Sequence, residues 1–348
     1  MATGTPSGAR IRLQEAKGAD DPSQRWGTMR ILVTGAPGFV GRRLVAALRQ
    51  RLPRAASITP TSRRGESDPE LGRVEPLDIT NRDAVAKAIR EVAPTHVLHL
   101  AGISAPLRVG DSQLDAWITN VMGTLNLAHA ILRTLPSCHL IFAGSGLVYG
   151  GCVPGRAFDE LSPLVPLNEY AATKAAADLA LGSLVLRGLN VVRLRLFNHT
   201  GPTQTEAFVV PGFAAQVARI EAGLQPPIIS VGNLDGVRDF LDVSDVVAAY
   251  VSVVLRAEAL PPGQVLNIAS GVPRRIGSIL DDLLALSAVT IKLRREPARM
   301  QPSETPYSVG DASTARRLLD WAPSCDFRAT LGDVLAYWRG QVARRQSA

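Results

Sequence analysis

The stretch Arg30-Ile31-Leu32-Val33-Thr34-Gly35-Ala36-Pro37-Gly38-Phe39-Val40-Gly41 decides the fold. Its first part is a short apolar run with β-branched residues that stops at glycine, the mark of a buried strand. Residues 39–48 then place Val40, Leu44, Ala47 and Leu48 on one helical face. Between them, Gly35, Gly38 and Gly41 have G-x-x-G-x-x-G spacing. One glycine permits the tight turn, one lets a pyrophosphate approach the backbone, and one lets helix and strand pack closely. The helix N-terminus beyond them offers unpaired N–H groups and the positive end of the macrodipole to a phosphate. An NTPase loop would need Gly-Lys-Ser/Thr where Gly41-Arg42-Arg43 stands, so that reading fails.

The strand-then-helix pattern repeats along the chain. Apolar runs recur at Ala56-Ser57-Ile58-Thr59, Val97-Leu98-His99-Leu100, His139-Leu140-Ile141-Phe142 and Val191-Val192-Arg193-Leu194. Between them the spacing predicts helices over residues 82–92, 117–135 and 169–186. Strands alternating with helices specify an α/β, Rossmann-type doubly wound parallel sheet, buried on both faces. Past Asn198 the rhythm is irregular and richer in proline, with helical patterns at 213–222 and 276–286, which predicts a smaller C-terminal substrate-binding lobe. We therefore expect a disordered leader over 1–28 and a dinucleotide-binding domain over 29–197. Residues 198–345 form mainly the substrate lobe, with part of the segment around 231–270 returning to the first domain.

Composition limits the function classes. A chain of 348 residues, 46% apolar, can bury one large core or two smaller ones. Its longest apolar runs fall short of the ~20 residues a membrane helix needs, so no membrane partner is expected. The net charge of +7 comes from scattered arginines with modest clusters, among them Lys292 to Arg299. That suits a polyphosphate small molecule better than nucleic acid. Cys138, Cys152 and Cys325 show no C-x-x-C spacing and are odd in number, which points to a reducing, cytoplasmic setting. His96 and His99, three apart in a strand, face opposite ways and make no metal pair.

Chemistry enters at Tyr170-Ala171-Ala172-Thr173-Lys174. With five Tyr and four Lys in the chain, a Tyr-x-x-x-Lys pair has a chance expectation of only ~0.06. Residues i and i+4 share one helix face. A phenol of pKa ~10 exchanges protons poorly at neutral pH, and a neighbouring ammonium is expected to lower it. Ser145, at the end of a core strand in Ala143-Gly144-Ser145-Gly146, can offer its hydroxyl to a substrate oxygen. Its flanks, Ala143 and Leu147, exclude a hydrolase elbow. After the second strand, where an acidic residue would bind a ribose 2′-hydroxyl, the chain offers none. Ser62-Arg63-Arg64 stands there instead, suited to a 2′-phosphate. NADP(H) is therefore the preferred cofactor, with NAD(H) the alternative.

With these motifs the chain resembles the extended short-chain dehydrogenases/reductases of the NAD-dependent epimerase/dehydratase type, from Met29 to Arg345. The resemblance implies cofactor contacts at Gly35, Pro37, Gly38, Phe39, Val40, Gly41, Ser62, Arg63, Asp78, Ile79, Leu100, Ala101, Gly102, Asn120, Phe197 and His199. It implies a catalytic trio of Ser145, Tyr170 and Lys174, with the last two also touching the cofactor. The C-terminal segments Leu196-Phe197-Asn198-His199-Thr200-Gly201-Pro202 and Arg238-Asp239-Phe240 are most similar to enzymes acting on GDP-linked 6-deoxysugars. That similarity implies substrate contacts at Ser104, Ser145, Leu147, Asn198, Val210, Arg219, Arg238 and Arg299. The 4,6-dehydratases carry glutamate two positions after the catalytic Ser/Thr, where Leu147 stands here. The implied reaction is reduction of a nucleotide-linked 4-keto-6-deoxysugar by NAD(P)H. A nucleotide-sugar 4-epimerase and a non-catalytic dinucleotide sensor are the alternatives, and a homodimer is the state the resemblance implies.

Overall fold

The computed structural model describes residues 29–103, 113–296 and 306–347. Strand β1 (Arg30–Thr34) runs into the glycine turn and then into helix α1 (Phe39–Arg51). There follow β2 (Ser57–Ser62), the short hairpin β3 (Glu66–Asp68) and β4 (Gly72–Pro76), α2 (Arg82–Val92) and β5 (His96–His99). After α3 (Gln113–Trp117) the chain widens into a π-helical turn over Ile118–Gly123 and tightens again as α4 (Thr124–Thr134). Strand β6 (His139–Ala143), a 3-10 turn (Gly146–Tyr149), α5 (Glu169–Val185) and β7 (Val191–Leu196) complete this half.

The second half contains β8 (Asn198–Thr200), α6 (Val209–Glu221), β9 (Ile228–Val231), β10 (Val237–Asp242) and α7 (Val243–Arg256). It continues with β11 (Val265–Ile268), β12 (Pro273–Arg275), α8 (Ile276–Leu284), β13 (Lys292–Arg295), β14 (Tyr307–Ser308), α9 (Ser313–Leu319) and α10 (Phe327–Gln346). The main sheet has the order β11-β7-β6-β5-β1-β2-β4-β3, parallel except for the β3–β4 hairpin at its edge. Strand order reverses between β1 and its neighbours β2 and β5, which opens a crevice at their carboxyl ends. The expected doubly wound parallel sheet is thus what forms.

Two apolar cores cover the sheet. One joins α1 and α7 to β1 and β7 through Leu44, Leu48, Val246 and Tyr250. The other joins α2, α4 and α5 to the opposite face through Ile89, Leu127, Ile131 and Leu181. A third core, separate from these, unites α6, α8 and α10 around Val217, Leu280 and Leu335. Strand β10 pairs at its start with β12 on one side and β14 on the other, and further along, over Phe240 to Asp242, with β8.

Two local expectations differ from the structure. The second strand begins at Ser57 and extends to Ser62, because Thr59 to Ser62 continue the parallel ladder that β1 templates out to Thr34↔Thr61. The single helix expected over 117–135 is broken by the π turn. There the Thr124 hydroxyl donates to the Asn120 carbonyl at 2.6 Å, and Gly123 packs against Ile79 so closely that a Cβ would lie 2.7 Å from its Cδ1. Such wide turns gather at functional sites.

Candidate active site

A cleft of about 2010 Å3 opens above the carboxyl ends of the central strands. Its floor begins at the glycine turn. Gly35 holds φ +70°, and a Cβ there would meet the Ala101 nitrogen at 2.8 Å; a Cβ on Gly41 would lie 2.5 Å from the Ala36 carbonyl. Helix α1 starts at Gly38 with no side-chain cap and no acidic residue in its first turn. Its N–H groups are therefore available to an anion in the cleft. These features fit a dinucleotide diphosphate, and Pro37, Phe39 and Val40 line the same end. The Phe39 ring stacks on His199 at 6.2 Å, and burial lowers the His199 pKa, favouring the neutral ring.

Ser62, Arg63, Asp78, Ile79, Leu100, Ala101, Gly102 and Phe197 also line the cleft. Arg63 lies 3.4 Å from Asp78, and that carboxylate, held by the Thr80 hydroxyl and amide, stays below its ordinary pKa. Arg64 points instead into a shallow groove shared with Arg73. Glu66, on β3, reaches the cleft beside Ser62. It was missed because the hairpin brings back a carboxylate that does not directly follow the second strand. Asn120 stands behind the wall, almost wholly buried. Its amide exchanges hydrogen bonds with the backbone of Ile103 and donates to Thr173 Oγ1 at 3.0 Å.

Asn168 caps α5 by accepting from the Ala171 amide at 2.9 Å, placing Tyr170 in the first turn and Lys174 one turn on. Both face the cleft beside Ser145. Burial pushes the Tyr170 phenol up to about 12, and a hydrogen bond with Ser145 works against that rise. Burial lowers Lys174 to about 8. Its ammonium donates to the Ala143 carbonyl at 2.9 Å and sits 5.3 Å from the Phe142 ring centroid. The sequence expectation that Lys174 lowers the tyrosine pKa is thereby corrected. In this state Ser145 is the group that favours the phenolate, because Lys174 is turned to the strand end. Ser145 itself caps the 3-10 turn, accepting from the Leu147 amide at 3.2 Å.

Toward the second lobe the cleft is lined by Leu147, Asn198, Val210, Arg219 and Arg238. Arg219 pairs with Glu206 at 2.8 Å. Burial lowers the Arg238 pKa, and its Nη1 donates to the Val237 carbonyl. Ser104 and Arg299 lie outside the described residues. Arg294 and Glu296 also reach the cleft, with Arg294 donating to Ser230 Oγ at 3.2 Å. They escaped notice because their site arises from the β9–β13 ladder, Ser230↔Arg294; the basic run Lys292 to Arg299 was the available signal. Among the described residues no group of three or more His, Cys, Asp or Glu could hold a metal. His99 is instead buried between the Thr34 and Thr124 hydroxyls at 2.8 and 2.9 Å, its pKa lowered by burial to about 3.

Comparison with known proteins agrees with this geometry. The model of the NAD dependent epimerase/dehydratase family matches residues 31–269. A GDP-6-deoxy-D-mannose reductase from Pseudomonas aeruginosa is 34% identical over 90% of this chain and 99% of its own. The structure of RMD from the same organism, complexed with NADPH, superposes with a TM-score of 0.79 at 29% identity, covering 90% of this chain and all of the other. A UDP-glucose 4-epimerase from Thermus thermophilus, in complex with NAD, gives 0.77 at 26% identity over 90% of this chain and 99% of its own. A parallel sheet with its crevice at a glycine turn, a Tyr-x-x-x-Lys helix at that crevice and these likenesses together place the chain in the NAD dependent epimerase/dehydratase family of the extended short-chain dehydrogenases/reductases.

Proposed function

We propose that the protein reduces the C4 ketone of a nucleotide-linked 4-keto-6-deoxysugar, GDP-linked by preference, with NADP(H) as cofactor. The observation that carries this reading is the convergence of Ser145, Tyr170 and Lys174 on the cleft beside Leu147. The cofactor supplies the hydride, and the protein supplies alignment and the proton. Tyr170, protonated at neutral pH, donates its proton to the oxygen that becomes the alcohol. Ser145 orients that oxygen, and Lys174 would hold the nicotinamide ribose when the cofactor is bound.

Leu147 cannot carry a proton, so elimination of water across C5 and C6 lacks the carboxylate that dehydratases place there. The nearby Glu169 accepts from the Trp117 indole at 2.9 Å. Leu147 instead offers an apolar wall to a C6 methyl group. The P. aeruginosa reductase named above supports the GDP-linked choice. Ser62 and Arg63 support NADP(H), although Arg63 must share its guanidinium with Asp78.

We read residues 29–197 as the dinucleotide-binding domain and 198–345 as mainly the substrate lobe. Strand β11 joining the main sheet and α7 packing under α1 support the return of the segment around 231–270 to the first domain. We also propose a homodimer. Leu114, Ile118 and Met122 fall on one stripe, and like Leu179 of α5 and Leu186 just beyond its end they are exposed apolar side chains that a partner subunit would cover. Among the described residues no helix is long and apolar enough to cross a membrane. We propose a reducing, cytoplasmic setting from the three free cysteines.

The test is product analysis after incubation with NADPH and a panel of 4-keto nucleotide sugars. Stoichiometric NADPH oxidation with a GDP-linked 4-keto-6-deoxysugar supports the reading. Conversion of a nucleotide sugar into its 4-epimer with no net redox change would replace it with the epimerase reading, which the T. thermophilus likeness keeps in view.

A further inference from the structure

We propose that a buried polar chain beneath the cleft, Asp178–Arg195–Tyr149–Asn267, positions the two halves of the catalytic trio relative to each other; this rests on the reading of Ser145, Tyr170 and Lys174 given above. Asp178 follows Lys174 by four residues on α5, so it continues the face that carries Tyr170 and Lys174. Its carboxylate is fully buried and receives both arms of the Arg195 guanidinium, Nε and Nη2, at 3.0 Å each. Arg193, two residues earlier on β7 and on the same side of the strand, adds a third donor at 2.9 Å. The remaining arm of Arg195 donates to the Tyr149 hydroxyl at 2.9 Å and to the Glu160 carbonyl at 3.1 Å. Tyr149 in turn donates to Asn267 Oδ1 at 2.7 Å, and Asn267 is held by the carbonyls of Phe158 and Asp311.

The position of Tyr149 gives the chain its consequence. It is the last residue of the 3-10 turn that Ser145 caps, so fixing its hydroxyl fixes the turn on which Ser145 rides. One guanidinium thus ties the helix bearing Tyr170 and Lys174 to the turn bearing Ser145. A planar fork can span two partners at once in fixed directions, which an ammonium cannot. Tyr149, Arg195 and Asp178 touch neither the reacting atoms nor the cofactor site; Asp178, Arg195, Tyr149 and Asn267 are absent from the cleft lining. They are positioning residues. A displacement of about 1 Å between proton donor and hydroxyl guide is enough to slow a reaction by up to about 10²-fold.

Tyr149→Phe is the decisive variant, because the ring keeps its stack on Phe158 at 4.9 Å while the hydroxyl that joins Arg195 to Asn267 is lost. We expect kcat to fall about tenfold, with KM and NADPH affinity within about twofold of the parent. The primary isotope effect on kcat measured with 4-deuterated NADPH should grow as hydride transfer becomes slower. Arg195→Lys, which keeps a cation for Asp178 without the fork, should give the same kinetic pattern. A purely structural role would lower Tm and the titrated fraction of active sites while leaving kcat per active site and the isotope effect unchanged, and that result would overturn the proposal. Tyr170→Phe in parallel separates the two levels. If that variant keeps full turnover, the trio itself is misassigned; if it is inactive and Tyr149→Phe is unaffected, only the positioning chain fails.

Discussion

Replacing Lys174 by methionine should make the protein more stable at neutral pH while removing its activity. Lys174 is 6% exposed, and burial alone brings its pKa from 10.5 to about 8. Holding the charged form inside the fold therefore costs on the order of a few kcal/mol. Methionine has similar length and no charge, but it abandons the Ala143 carbonyl, which costs about 1.5 kcal/mol. The expected net gain at pH 7 is therefore about 2 kcal/mol.

The sign reverses with pH. Between about 8 and 10.5 the unfolded chain binds the lysine proton and the folded chain does not, so the parent gains stability across that window. The variant lacks this gain and above it should be less stable than the parent by about the worth of the Ala143 hydrogen bond, on the order of 1 kcal/mol. Urea unfolding followed by tryptophan fluorescence, at matched slopes near pH 7 and above pH 10, measures the difference at both ends. NADPH titration of the same variant should show weakened binding. A variant that is less stable at pH 7 and shows the same difference at high pH would refute the account of Lys174 as a buried cation held for function.

Tyr170→Phe should retain the fold and cofactor binding and lose roughly 10²-fold or more in turnover, measured as NADPH oxidation in stopped-flow or steady-state assays. Arg63→Ala should weaken NADPH by about 1.5 kcal/mol or more in a fluorescence titration and leave NADH nearly unchanged, since only the former carries a 2′-phosphate to pair with the guanidinium. Equal use of both cofactors by the parent would remove the basis for that preference. If the proposed homodimer forms, Met122→Asp should give monomers in light scattering, because it sets a charge on the exposed stripe that Met122 shares with Leu114 and Ile118. Leu147→Glu should not by itself yield a dehydratase, as judged by formation of a 4-keto product from GDP-mannose, since the leaving hydroxyl also needs to be held in place.

The sheet was readable from the chain because its information is local. Four residues of Ile31, Leu32 and their neighbours, a glycine spacing and a 3.6-residue stripe suffice to specify a strand, a turn and a helix. Residues 82–92 end where expected because Asn81 caps the helix, accepting from Asp83 and Ala84, and Ala93 closes it in a left-handed turn. The helix that Val243 opens was hidden for the opposite reason. Its run Val246 to Leu255 is buried on several sides, so no stripe distinguishes it from a strand. The π turn at Asn120 could not be read at all, since its cause is a tertiary fit between Gly123 and Ile79. In the cleft, Tyr170, Lys174 and Ser145 were visible as residue types at a spacing. Arg294 and Glu296 were not, because a ladder between distant segments brings them to the cleft.

The same division between local spacing and tertiary fit bears on the direction of the proposed reaction. Spacing alone pairs an ammonium with a phenol and implies a tyrosine ready to lose its proton. Packing gives a different state: the phenol is held near 12, and the lysine donates to a strand carbonyl rather than to the phenol. Such a tyrosine is loaded at neutral pH and prepared to give a proton, as reduction of a ketone requires. An epimerase would begin by taking one from an alcohol, the reverse use of the same phenol. Placing Tyr170 in the first turn of α5 lets the helix dipole assist ionisation by about 1 kcal/mol, in the opposite sense to burial. Burial, a property of the assembled cleft that no spacing of Tyr and Lys encodes, thus keeps the phenol protonated, the form that the proposed reduction uses.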